Sequence, residues 1–332
     1  MVTRYMSFVN AGIGRISQEL VAGLFKKGHS IKWVSTEKTS LASYFKYTML
    51  EVPKRIPKDV DVYHAVTPME GIWIPKKKSV VQFQDLIPLT NPNLAGAGIG
   101  YSKVKLWLGK EYFRWASKVA SRAHTIIAIS EETKSDVVDC LGVRPEKVRV
   151  LRLGIREDLD PRPKRTEKFT VGYLGQLDKR KRVNLLIEAV KRTEMDLDCL
   201  IGGFGVDGDK LKALADGDPR IRFLGFIPDN DLVNFYNSLD VLVFPTAIEG
   251  YGLPIVEAMA CKKPVVVLED AIIPWEVKKR CIILDELDLG ALPVFGHLKD
   301  TPYLEGNYQF AKAHTWDGYV DGCLKLYEEV LG

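Results

Sequence analysis

Two glutamates, Glu249 and Glu257, stand eight residues apart around the string Gly250-Tyr251-Gly252-Leu253-Pro254. The apolar run 241–244 precedes them and reads as a buried strand, ended by Pro245 and Thr246. Pro254 suits the start of a helix, where its missing N–H would be unpaired anyway. A second apolar run follows at 264–268. The pattern is strand, glycine loop, helix, strand. The start of such a helix offers unpaired N–H groups and the positive end of a dipole, and so can hold an anion. Glu249 would stand in front of that anion, and Glu257 about one turn inside the helix. Carboxylates on both sides of a phosphate cradle suit a ligand with hydroxyls on both sides of a phosphate, such as a nucleotide sugar. An ordinary crossover accounts for the strand–helix–strand pattern, but not for both glycines and both glutamates.

Other residues of the same chemistry lie at predicted loop positions. Gly175-Gln176 and the basic run 179–182, with Lys181 in it, follow the apolar segment 169–174. Gly203 follows the apolar segment 199–201. Near the start, Gly12 and Gly14 form a glycine loop before Ile16, Leu20 and Leu24, whose spacing of four marks a helix closed by Gly28. This first glycine loop lacks the full GxGxxG pattern, which argues against a nicotinamide dehydrogenase. Strands are expected at 4–9, 31–34, 59–65, 80–89, 125–130 and 148–151. Ligands collect at the carboxyl ends of strands in α/β folds, which makes His64, Gln84 and Asp85 candidates. In 101–122, Lys103, Lys110 and Arg114 are interleaved with Trp107 and Trp115, and Val104, Leu108, Trp115 and Val119 can share a helical stripe. That pattern fits first a core-packed helix with a solvated basic face, and also a helix lying at a membrane surface or near the acceptor.

The Glu249–Glu257 string resembles the Glu-x7-Glu signature of family 4 glycosyltransferases, retaining enzymes of the GT-B fold. The similarity runs over nearly the whole chain and is densest over 171–268. It implies two Rossmann-like domains facing a central cleft: an acceptor-binding domain at 1–158, a nucleotide-sugar-binding domain at 159–314, and a final helix at 315–332 that packs back on the first. It also implies roles. Glu249 would hold donor sugar hydroxyls, and Gly250, Tyr251, Gly252 and Leu253 the phosphate. Glu257 would hold the ribose, and Lys181 the departing diphosphate. Gly12, Gly14, Gly175, Gln176 and Gly203 would lie near the donor, with Gln84 and Asp85 beside its sugar. The chain departs from the family pattern at Gln84 (usually His), Gln176 (usually Arg), and Arg182 and Lys262 (usually Gly).

The whole chain bounds these readings. Its 332 residues suffice for two domains with full cores. No apolar run is long enough to span a bilayer and no signal peptide is visible, so a cytoplasmic enzyme is expected, at most peripheral at the inner face of the membrane. The five scattered cysteines fit a reducing compartment, and no His/Cys cluster points to a metal. Residues 1–156 hold 25 Lys/Arg and 13 Asp/Glu, a balance of +12; residues 157–332 hold 22 and 30, a balance of −8. A basic first half suits a negative partner such as an anionic lipid surface. The expectation is therefore an α/β glycosyltransferase with no cofactor beyond its co-substrate, a nucleotide diphosphate sugar. It would transfer a hexosyl group to a glycan, lipid-linked or small-molecule acceptor, without metal or nucleic acid. The alternatives are a nucleotide-sugar-binding protein with impaired catalysis, and an epimerase or phosphorylase-like enzyme of the same fold.

Overall fold

The computed structural model describes residue 1 and residues 12–36, 45–95, 103–164, 167–291 and 301–332. The strand expected at 4–9, the first two residues of the loop at 10–15, the side chain of Lys103 and the end of the linker at 161–165 lie outside them. The chain is α/β and divides into two compact units, one of Met1–Pro92, Tyr101–Gly154 and Thr315–Gly332, the other of Asn93–Gly100 and Ile155–His314.

The first unit holds four parallel strands in the order β1 (Tyr63–Ala65), β2 (Ser79–Phe83), β3 (Thr125–Ala128) and β4 (Val148–Val150). β1, β2 and β3 are buried throughout, as strands covered on both faces should be. Helix α1 (Gly12–Lys26) buries Ile16, Leu20 and Leu24, the stripe expected from their spacing. It closes through Gly28, at φ 86°, whose N–H bonds the Phe25 carbonyl at 3.0 Å. The expected strand at 31–34 does not form; Val34 alone makes a bridge there. Helix α2 (Lys103–Ala120) joins β2 to β3, and helix α3 (Glu131–Leu141) joins β3 to β4. The Ser130 hydroxyl caps α3 by accepting from the Thr133 N–H at 3.1 Å.

The stripe expected on α2 is not its buried face. Val104, Leu108 and Trp115 are 65%, 54% and 44% exposed, whereas Ala116, Ser117 and Ala120 are buried. Small residues win because the neighbouring backbone comes close: a Cβ on Gly71 would lie 3.2 Å from that of Ala120.

The second unit holds six parallel strands. In chain order they are β5 (Phe169–Leu174), β6 (Leu197–Gly202), β7 (Ile221–Gly225), β8 (Val241–Val243), β9 (Val265–Leu268) and β10 (Ile282–Leu284). Helices α4 (Val183–Arg192), α5 (Gly208–Ala215), α6 (Asp229–Ser238) and α7 (Leu253–Ala260) alternate with them, and α8 (Pro302–Lys312) follows. Spatially the sheet runs β10-β9-β8-β5-β6-β7. Winding starts at β5, proceeds to one edge, then returns to β8 and proceeds to the other. The reversal lies between β5 and β8, and in such sheets the loops at the carboxyl ends of those two strands form the binding crevice.

Helix α9 (Trp316–Leu331) ends the chain and belongs to the first unit. It lies against α1: Lys27 pairs with Asp317 at 3.0 Å and Asp321 at 2.8 Å. Its Tyr319 hydroxyl donates to Gln82 Oε1 at 2.6 Å, and its Tyr327 hydroxyl bonds His64 Nδ1 at 2.6 Å.

Candidate functional site

The loops at the reversal point are tied to one another backbone to backbone. The Ala247 N–H donates to the Arg180 carbonyl and the Glu249 N–H to the Ile272 carbonyl, both at 2.8 Å. Arg182 donates to the Pro245 and Thr246 carbonyls at 2.8 and 2.9 Å and forks onto Asp270. The segments following β5, β8 and β9 are thereby one rigid shelf. Arg182 adopts a left-handed backbone, φ 51°, where a glycine would be relaxed. Its four side-chain bonds offset that strain.

Two candidate residues 68 apart in sequence meet on this shelf. Lys181 Nζ donates to Glu249 Oε1, and the two side chains are only 8% and 10% exposed. The Thr246 hydroxyl donates to the same oxygen at 2.7 Å, and Arg180 lies 3.7 Å from Oε2. Burial alone would raise the Glu249 carboxyl, but the charges of Lys181 and Arg180 outweigh it and hold the group below the ordinary carboxylate range. Lys181 also sits 5.1 Å over the Phe244 ring, which stacks on Tyr173. The Tyr173 hydroxyl donates to the Gln176 carbonyl at 2.8 Å and so fixes the glycine loop after β5. Gln176 itself is exposed. Arg180 and Thr246 are the residues that spacing did not single out.

Gly203 belongs to the same loop cluster. A Cβ there would stand 1.8 Å from the Gly175 carbonyl oxygen, and its φ of 116° is closed to other residues. Gly252, at φ 92°, is the N-cap of α7, with Pro254 in the first turn. Gly250 and Leu253 are half-buried, Tyr251 is buried, and Glu257 is 3% exposed with its Oε2 accepting from the Tyr236 hydroxyl at 2.7 Å. The structure therefore brings Lys181, Glu249, Gly175, Gln176 and Gly203 together at the mouth of β5 and β8, with α7 beginning beside them.

In the first unit Gln84 and Asp85 follow the carboxyl end of β2. Gln84 Nε2 donates to the Val66 carbonyl at 3.0 Å, and Asp85 Oδ1 accepts from the Ile87 N–H at 3.0 Å. Gly12 and Gly14 lie in the first turn of α1. His64 lies inside, 4% exposed beneath α9, and burial pulls its imidazole down to about 3, so it is neutral at pH 7. Trp107 and Trp115 stand half-exposed on α2 beside Lys110 and Arg114, the latter paired with Glu111 at 2.7 Å.

The sequence profile of the Glycosyl transferases group 1 matches residues 155–279, and that of Glycosyltransferase Family 4 matches residues 39–159. The chain belongs to the family 4, group 1 glycosyltransferases. Its fold is GT-B, as in structures that cover nearly all of it. Sucrose-phosphate synthase from Thermosynechococcus elongatus superposes with a TM-score of 0.77 at 15% identity, covering 99% of this chain and 98% of that one. WaaG, a glycosyltransferase involved in lipopolysaccharide biosynthesis, gives 0.72 at 14% identity, covering 98% and 99%. Anabaena HepE, in complex with UDP and glucose, gives 0.67 at 16%, covering 99% and 98%. In sequence, this chain is 26% identical to the O-antigen chain mannosyltransferase B of Escherichia coli over 232 residues, 62% of this chain and 61% of that protein. Its match to the serotype-specific mannosyltransferase WbdA, at 27% identity, spans 60% of this chain and 26% of that protein. The chain thus spans less than two thirds of the length of these curated relatives.

Proposed function

We propose that the chain transfers a hexosyl group, with retention at the anomeric carbon, from a nucleotide diphosphate sugar to a glycan or lipid-linked acceptor. The observation that carries this reading is the buried Lys181–Glu249 pair at the reversal point of the six-stranded sheet, beside the start of α7. Bond cleavage at the sugar leaves a nucleotide diphosphate with growing negative charge. Groups aimed at that charge before it develops lower the barrier, because they need not reorganise. Lys181, Arg180 and the N-terminal dipole of α7 supply them. On donor binding Lys181 exchanges the Glu249 carboxylate for the diphosphate. Glu249, still held by Thr246 and facing Arg180, then accepts from the sugar hydroxyls. Glu257, oriented by Tyr236, accepts from the ribose.

A lipid-linked acceptor at a membrane surface is supported by α2. As a crossover between parallel strands, α2 begins near their carboxyl ends, where acceptor chemistry belongs. There Val104, Trp107 and Leu108 are at least half exposed, next to Lys110, an arrangement suited to the headgroup boundary. No helix among the described residues is long and apolar enough to cross a membrane.

The test is transfer from a panel of nucleotide sugars, with product analysis. The reading predicts free nucleotide diphosphate and a new glycoside of unchanged anomeric configuration, with loss of transfer in Glu249→Ala. An epimerised donor, or turnover intact in Glu249→Ala while donor binding is measurable, overturns it.

A further inference from the structure

The amino ends of the four-stranded sheet, opposite the carboxyl ends where Gln84 and Asp85 lie, carry a basic cleft of about 450 Å³. The loops leading into three of its strands bring basic side chains to it. Lys76 and Lys77 precede β2, Arg122 and His124 precede β3, and Arg144 and Lys147 precede β4. Five residues of strand, about 17 Å, separate this end of β2 from Gln84. The cations are therefore not part of the donor or acceptor chemistry described above.

Two carboxylates also line the cleft, and both are engaged. Glu146 pairs with Arg144 at 3.3 Å, and Glu329 of α9 pairs with Arg149 at 3.2 Å. Lys76, Lys77, Arg122 and Lys147 then have no carboxylate partner among the described residues. The half-buried Lys147 ammonium donates only to the Ser121 carbonyl, at 2.9 Å. Burial and the nearby Arg144 charge pull it below the ordinary lysine range. Cations gathered from three loops, one of them partly desolvated, repel one another until an anion enters.

We propose that this cleft binds a phosphate-bearing anion of at least two negative charges, either a free diphosphate or the phosphorylated head group of a lipid. Arg122 and Arg144 offer planar forks for phosphate oxygens, and the lysines offer point charges around them. A single phosphate would leave charge uncompensated, whereas a diphosphate or clustered head groups match four free cations.

Binding of inorganic pyrophosphate to the full chain, measured by titration calorimetry at low salt, tests the proposal alongside co-sedimentation with phosphatidylglycerol vesicles. The Lys77→Glu/Arg122→Glu variant carries both charge reversals on exposed side chains, and Lys77→Gln/Arg122→Gln serves as a milder partner should the first fail to fold. The expected result is salt-sensitive pyrophosphate binding that persists in Lys181→Met and weakens at least about tenfold in Lys77→Glu/Arg122→Glu. Vesicle binding that depends on the same two residues, with pyrophosphate unbound, supports the proposal with the lipid as the source. If neither ligand responds to Lys77 and Arg122 in either variant, the proposal fails. Pyrophosphate binding lost in Lys181→Met alone reports on the donor site and counts against a second one.

Discussion

Removing the Lys181–Glu249 pair in steps separates its structural role from its chemical one. Lys181→Met leaves the Glu249 carboxylate buried, but Thr246 at 2.7 Å and Arg180 at 3.7 Å still face it. Glu249→Gln leaves the Lys181 ammonium over Phe244 at 5.1 Å, with Arg180 now a like charge beside it. Breaking a buried pair from one side costs about 3–5 kcal/mol, because the surviving charge is uncompensated. The remaining partners of Glu249 place Lys181→Met near about 3 kcal/mol, and Glu249→Gln falls higher in that range. The double variant buries neither charge, so its cost is no greater than that of Lys181→Met. The coupling between the two sites is then at least the cost of Glu249→Gln alone, about 4 kcal/mol. For a unit of this size each kcal/mol moves the melting temperature by about 2–4 °C, which makes the single variants readable by thermal unfolding. All three variants lose transfer by about 10²–10³-fold, since donors aimed at the developing charge are gone whether or not the fold is repaired. The double variant is decisive: restored stability without restored turnover is the expected outcome. Stability losses that simply add, or turnover that returns with stability, would refute the reasoning.

Acid should weaken the first unit through His64. Its folded imidazole titrates near 3 and its unfolded one near 6.5, so the unfolded chain binds the extra proton as pH falls through that window. Stability is full above 6.5 and drops by about 1.4 kcal/mol per unit below it, or about 2 kcal/mol by pH 5; in His64→Gln the slope between melts at pH 7 and pH 5 should flatten. Gly203→Ala forces a methyl into the Gly175 carbonyl, so we expect at least about 3 kcal/mol of destabilisation and weaker donor binding by calorimetry. Gly12→Ala, with nothing within 4 Å of its Cβ, should stay within about 0.5 kcal/mol. Lys262 sits at φ 52° while pairing with Glu305 at 2.8 Å and covering Tyr308 at 5.3 Å. Lys262→Gly should be close to neutral in urea unfolding, because about 1 kcal/mol of relieved strain offsets the lost contacts. Lys262→Ala loses the contacts without that relief and should cost about 1 kcal/mol.

The parts of the fold that read directly from sequence are those specified by neighbours along the chain. The strand–loop–helix–strand unit around Glu249 shows itself because Gly252, Pro254 and the flanking valines act within a dozen residues. The stripe of α1 and the Ser130 cap are local in the same sense. What did not read required a partner from far away. The Lys181–Glu249 pair closes 68 residues, and the bond that buries His64 closes 263. Without α9 in view, a histidine at a strand end looks like a ligand; with it, the ring is neutral and enclosed. Periodicity placed a helix at α2 but not its covered side, because Val104, Leu108 and Trp115 have the apolar surface while Ala116 and Ala120 have the close neighbour. The run at 31–34 has strand-like residues but only Val34 makes a bridge. Glycine-favouring positions at 182 and 262 are occupied by Arg and Lys, and the structure shows what holds each: a fork to Asp270 in one case and an ion pair to Glu305 in the other.

The central claim is that the shelf between β5 and β8 holds a nucleotide diphosphate sugar. Calorimetric titration of the wild-type chain and Lys181→Met with a panel of nucleotide diphosphates and their sugars tests it most directly. We predict saturable binding of at least one nucleotide sugar by the wild type, and affinity reduced at least about tenfold in Lys181→Met, in line with loss of a charge-assisted contact. Equal affinity in the two proteins, or no binding of any nucleotide sugar by a folded wild type, would contradict it.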